Sequence, residues 1–61
     1  MKELDIVRLK EDYKEISKGI KGTIVLRDDE KNCEVEFFDK EGDTIEVVMT
    51  PLNKLELAKS F

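Results

Sequence analysis

The chemistry open to this chain rests on its carboxylates, its lysines and one thiol. In 61 residues it carries 15 Asp/Glu against 11 Lys/Arg, one Cys, and no His or Trp. Cys33 is the obvious nucleophile. A reactive thiolate needs a base or a positive neighbour, and the adjacent Glu34 and the nearby Glu36 would raise its pKa instead. The lack of His removes the imidazole general base. With a single thiol, one chain cannot build a zinc or iron–sulfur site, nor close an internal disulfide. Asp39-Lys40-Glu41-Gly42-Asp43 and Asp28-Asp29-Glu30 each cluster oxygen ligands. Neither has the spacing of an EF-hand loop, and Asp, Asn and Gly favour tight turns in any case. Paired carboxylates could do acid–base work only in a pocket, and so short a chain fills its own interior. The expectation is no enzyme, no cofactor and no metal.

Binding is the remaining class. The net charge is −4 and the pI near 4.8. Residues 1–22 carry six basic and five acidic side chains, whereas residues 23–61 carry five basic and ten acidic. Lys14, Lys18 and Lys21 could grip phosphates, but the acidic body beside them argues against a nucleic-acid partner. Glu34, Glu36 and Glu46 are expected to point outward from adjacent strands. That acidic face suits a basic protein partner, and it also serves solubility. Tyr13 is an amphipathic contact candidate in a polar stretch. Phe37 and Phe38 are adjacent, so in a strand one of them leaves the core face, and Phe38 is the one assigned to contact. Ile6, Ile20, Val25, Val48 and Phe61 are also assigned to exposure or rim packing. The candidate partner-binding residues are therefore Tyr13, Glu34, Glu36, Phe38 and Glu46.

These residues must be positioned by strands. Period-two alternation runs between Gly19, Gly22, Gly42 and Pro51, and no helical period extends beyond about ten residues. Strands are predicted over 5–10, 22–27, 33–39, 44–50 and 55–58. Residues 11–18 read as a long loop, 28–32 and 40–43 as hairpin connections, and 52–54 as a 3₁₀ turn after Pro51. The predicted core is Val7, Leu9, Ile24, Leu26, Val35, Phe37, Ile45, Val47, Leu55 and Leu57, with Met49 also facing inward. The fold class is all-β: a five-stranded SH3-like barrel occupying residues 1–61 as one domain. No apolar run approaches the roughly 20 residues of a membrane span. The lone thiol and the absence of a leader pattern predict a reducing, cytoplasmic setting. The Met1 start predicts a stand-alone small protein.

The segments Asp5-Ile6-Val7-Arg8-Leu9 and Lys18-Gly19-Ile20-Lys21-Gly22-Thr23-Ile24-Val25 resemble SH3-like barrels. They are similar to the barrel of the nitrile hydratase beta subunit and to KOW modules of ribosomal and transcription proteins. Cys33-Glu34-Val35-Glu36-Phe37, Gly42-Asp43-Thr44-Ile45 and Leu55-Glu56-Leu57 extend the likeness. Together they resemble a small bacterial barrel family, domain of unknown function 4926. These are fold motifs, and none carries a catalytic residue onto this chain. The resemblance implies genes beside toxins, and hence an antitoxin-like or immunity-like protein that occludes a basic toxin or enzyme. Two alternatives stay open: a KOW-like module that meets RNA or the translation and transcription machinery, and an oligomer that sequesters a small ligand between chains.

Overall fold

The computed structural model describes residues 1–60, so Phe61 lies outside the described residues. Five strands form: β1 (Ile6–Leu9), β2 (Lys21–Arg27), β3 (Asn32–Phe38), β4 (Thr44–Pro51) and β5 (Leu55–Lys59). A 3₁₀ turn, Leu52–Lys54, precedes the last. All pairings are antiparallel, in one sheet of order β4-β3-β2-β1-β5. The expected layout holds: a strand, a long loop, a three-stranded meander, a 3₁₀ turn and a final strand. No helix of the described residues is long and apolar enough to cross a membrane.

One face of this sheet is buried although no α-helix or second sheet among the described residues covers it. Val7, Ile24, Val35 and Phe37 are fully inaccessible, and Leu9, Ile16, Cys33, Val48 and Leu55 join them in one cluster. A single sheet achieves this only by curling over its own inner face. Gly22 marks a point of close approach. A Cβ there would stand 2.5 Å from Val35 Cγ1, 2.9 Å from the Glu36 carbonyl oxygen and 3.0 Å from Phe37 Cδ1. Glycine lets β2 and β3 close over the two largest contributions of β3 to the core.

Two bulges overturn part of the expected core. Near the β3–β4 turn, Phe38 pairs with Thr44, but Phe37 pairs with Glu46, so Ile45 is an extra residue. Had the first register continued, Val35 would face Val47 and Cys33 would face Met49. Instead Val35 pairs with Val48 and Cys33 with Thr50. One inserted residue sends every later side chain of β4 to the other face. Ile45, Val47 and Met49 are therefore exposed, and Val48 and Thr50 are buried. In β2, Ile24 pairs with Val35 while Leu26 pairs with Glu34, leaving Val25 bulged and Leu26 exposed. Leu57 pairs with Val7 as the core assignment requires. It is nevertheless exposed, because β5 is an edge strand and no strand among the described residues pairs with its far side.

The long loop is tied down locally. Tyr13 and Ile16 exchange backbone hydrogen bonds of 2.9 Å each, and Ile16 is buried. Lys14 inside this turn has φ +54°, a left-handed conformation. The hook so formed sets Ile16 into the core cluster, with Tyr13 packed against it. The chain ends meet at Asp5, a buried carboxylate that accepts from the Lys2 backbone N–H at 3.0 Å, Lys2 Nζ at 3.3 Å and Ser60 Oγ at 3.3 Å.

Acidic side chains also build the hairpins. Asp29 Oδ1 accepts from the backbone N–H groups of Lys31 and Asn32, both at 2.8 Å. Those two bonds hold its carboxyl below its ordinary value of 3.8. Asp39 Oδ1 accepts from the N–H groups of Glu41 at 2.9 Å and Asp43 at 3.0 Å, around Gly42 at φ +86°.

Gly22→Ala should lower the unfolding free energy by about 2 kcal/mol, because Val35 and backbone must shift to admit the methyl group. Urea denaturation measures this, and an unchanged midpoint would contradict the close approach. A carboxylate with a depressed native pKa stabilises above its unfolded pKa and loses that contribution as pH falls through the native value. Asp29→Asn should therefore be less stable than the parent above pH 3.8, with the gap closing on further acidification. A gap independent of pH would assign the effect to shape rather than charge.

Candidate interaction surface

The outer face of the sheet follows from the strand registers. Side chains directly opposite in an antiparallel pair share a face and sit about 5 Å apart. Leu26, Glu34 and Met49 form one cross-strand row, and Thr23, Glu36 and Val47 form the next. A third row runs Lys21, Phe38, Thr44. Each glutamate of β3 thus stands between the side chains of two other strands. Leu26 is 44%, Val47 51% and Met49 40% exposed, so the carboxylates are flanked by apolar side chains that remain in water. Thr44 Oγ1 donates to Glu36 Oε2, fixing that carboxylate on the face.

The face is polarised. Beyond Lys21, β1 contributes Arg8, and β5 contributes Glu56, which is ion-paired with Arg8 at 3.3 Å. The acidic and apolar end, Glu34 and Glu36 with Leu26, Val47 and Met49, spans β2 to β4, and Lys21 with the Arg8–Glu56 pair lies toward β1 and β5.

The five sequence-chosen contact residues do not all meet here. Glu34, Glu36 and Phe38 share the outer face, as period two requires. Glu46 does not: it pairs with Phe37, on the register of the inner face, although it is exposed at the rim. The Ile45 bulge is the reason. Tyr13 is half-buried against the core cluster. Its hydroxyl donates to the Met49 carbonyl oxygen at 3.5 Å, and Lys14 Nζ lies 5.6 Å from its ring centroid. The ring is part of the hook, reaching the β4 edge. Leu26, Val47 and Met49 were missed because their alternation reads as core until the bulges are known.

Other candidates resolve as follows. Cys33 is fully buried, with Sγ 3.9 Å from the Thr50 carbonyl oxygen, and burial pushes its thiol pKa up. A raised pKa and lack of access leave it a small apolar core residue. Asp39, Glu41 and Asp43 bring carboxylate oxygens within 4.8 Å of one another, but Asp39 Oδ1 is turned onto the loop backbone. An open depression of about 350 Å³ is lined by Gly19, Ile20, Lys21, Phe38, Asp39 and Lys40. It lies on the surface beside the Gly19–Lys21 turn, not in the filled interior.

The face assignment is testable by charge scanning. Val47→Lys and Leu26→Lys should each change stability by no more than about 1 kcal/mol, since both positions face water. Val48→Lys, which buries an ammonium at a 5% exposed site, should cost about 3 kcal/mol or more. The reverse order would restore the uninterrupted register.

No curated protein and no solved structure matches this chain. A family profile does, over residues 3–57, and the chain belongs to the family described as Domain of unknown function (DUF4926).

Proposed function

We propose that this chain is a non-catalytic protein-binding module of the antitoxin or immunity type, which occludes a basic partner with the outer face of its sheet. One observation carries the reading. Glu34 and Glu36 are set in rows with Leu26, Val47 and Met49, so negative charge and exposed apolar surface coincide on β2, β3 and β4. Scattered surface carboxylates serve solubility. Carboxylates interleaved with exposed apolar side chains suit a partner that carries Lys or Arg around an apolar contact. The rigid sheet holds this pattern in register, so little conformational freedom is lost on binding.

Catalysis has no support in the same residues. The thiol is sealed in the core, His is absent, and the sheet's interior is filled by side chains. The reading also keeps the protein in the cytoplasm, where a free thiol stays reduced.

The test is capture from native lysate by the parent chain and by a Glu34→Gln/Glu36→Gln variant, at low and raised salt. A stoichiometric basic protein should bind the parent, weaken with salt, and bind the variant about tenfold less tightly. Equal binding by both chains at both salt levels would end the acidic-face reading. Recovery of RNA or ribosomal proteins would favour the KOW-like alternative.

A further inference from the structure

We propose that β4 pairs with β4 of a second copy of this chain, antiparallel about a two-fold axis, so that two sheets join edge to edge. This goes beyond the acidic-face reading and does not depend on it. The edges of the sheet are β4 and β5. The hydrogen-bond phase of β4 is fixed by Leu52, whose N–H donates to the Lys31 carbonyl at 2.7 Å. Bonded and non-bonded pairs alternate along an antiparallel ladder. Cys33/Thr50 and Val35/Val48 are therefore bonded pairs, and Glu34/Met49 and Glu36/Val47 are not. The main-chain N–H and C=O groups of Val47 and Met49 consequently point away from β3, toward the open edge. Tyr13 confirms the direction, since its hydroxyl approaches the Met49 carbonyl from that side. Its 3.5 Å is long for a hydroxyl donor, so a backbone amide can replace it. Pro51, in phase with these residues, has no N–H to offer and ends the available edge.

The two edges are guarded differently. β5 has five residues, is bulged at Ala58, and carries Glu56 and Lys59. β4 has eight residues with Glu46 as its only charge, and exposes Val47 and Met49. A long edge with exposed apolar side chains and little charge is a template for another strand. The best-matched occupant must itself be extended, apolar and nearly uncharged along this stretch, and Thr44–Thr50 is such a strand. Placing Val48 opposite Val48 of the second copy makes the arrangement self-complementary. Val47 and Met49 then exchange main-chain hydrogen bonds with Met49 and Val47 of the second copy, and their side chains form one apolar cluster on the outer face. Glu46 falls opposite Thr50, so no like charges meet directly.

Net charge gives a distinguishing sign. Each copy carries −4, so salt screens the repulsion and tightens the dimer, whereas salt weakens binding of a basic partner. The experiment is sedimentation equilibrium of the purified chain over a range of concentrations at low and raised salt, with amide exchange at Val47, Met49 and Leu57. The expected result is a concentration-dependent rise from 7.1 kDa toward twice that mass, stronger at raised salt. The Val47 and Met49 amides should gain protection with concentration, while that of Leu57 on β5 should not. Val47→Pro removes an edge donor that β3 does not use, and Val47→Lys brings like charges together near the axis. Each should weaken the dimer by about tenfold or more, and Leu57→Lys should leave it unchanged. Should the proline variant fail to fold, Val47→Lys, at an exposed position, decides alone. A monomer under all conditions overturns the proposal, as does a dimer that survives both Val47 variants or is lost in Leu57→Lys. Glu34→Gln/Glu36→Gln removes repulsion and should keep or tighten the dimer, so loss of the basic partner in that variant is read separately.

Discussion

The molecule depends on one constraint: a five-stranded sheet, with no α-helix among the described residues to cover it, must bury its inner face against itself. That requires backbone to approach side chain closely at some point, and Gly22 supplies it against Val35 and Phe37. The rest of the chain closes what the sheet leaves open. The Tyr13–Ile16 hook adds Ile16 to the core cluster. Asp5 gathers Lys2 and Ser60, so that the two chain ends are held together by one carboxylate. A buried carboxylate is costly without partners, and here both segments that could fray supply donors to it. In a chain too small to bury a large apolar area, these polar ties matter more than they would in a larger domain.

Curvature and surface have the same origin. The bulges at Val25 and Ile45 are the extra residues that let β2 and β4 bend, and each flips the side chains that follow it. Closing the core therefore places Leu26, Val47 and Met49 in water beside Glu34 and Glu36. The exposed apolar patch is a consequence of how the sheet curls, not a scatter of stray residues. It is also the feature from which both binding proposals grow: rows of mixed acidic and apolar side chains on the face, and a long, nearly uncharged backbone edge. The acidic loops have a different role. Asp29 and Asp39 accept backbone N–H groups within their own turns, which uses charge to hold the hairpin ends.

Strand number, order of elements, the 3₁₀ turn and most of the core were set by the sequence itself. Alternation, β-branched runs and glycine and proline punctuation are local signals, and they place β1 to β5 within a residue or two. The same local reasoning placed Glu34, Glu36 and Phe38 on one face, because all three lie within one regular strand. It marked Cys33 as a thiol with no partner base and assigned its raised pKa to Glu34 and Glu36, whereas in the structure burial in the core raises it. Tertiary structure alone decided the facing of β4 and of Leu26. The pattern Ile45, Val47, Met49 is a regular inward strand on paper, and only the register against β3 shows that one residue is spare. It likewise decided that Ile16 is core, that Tyr13 is anchored, and that Glu46 leaves the acidic face. A bulge costs one unpaired residue and leaves no mark in the alternation. Its selection depends on the closure of the whole sheet, which no local window of sequence contains.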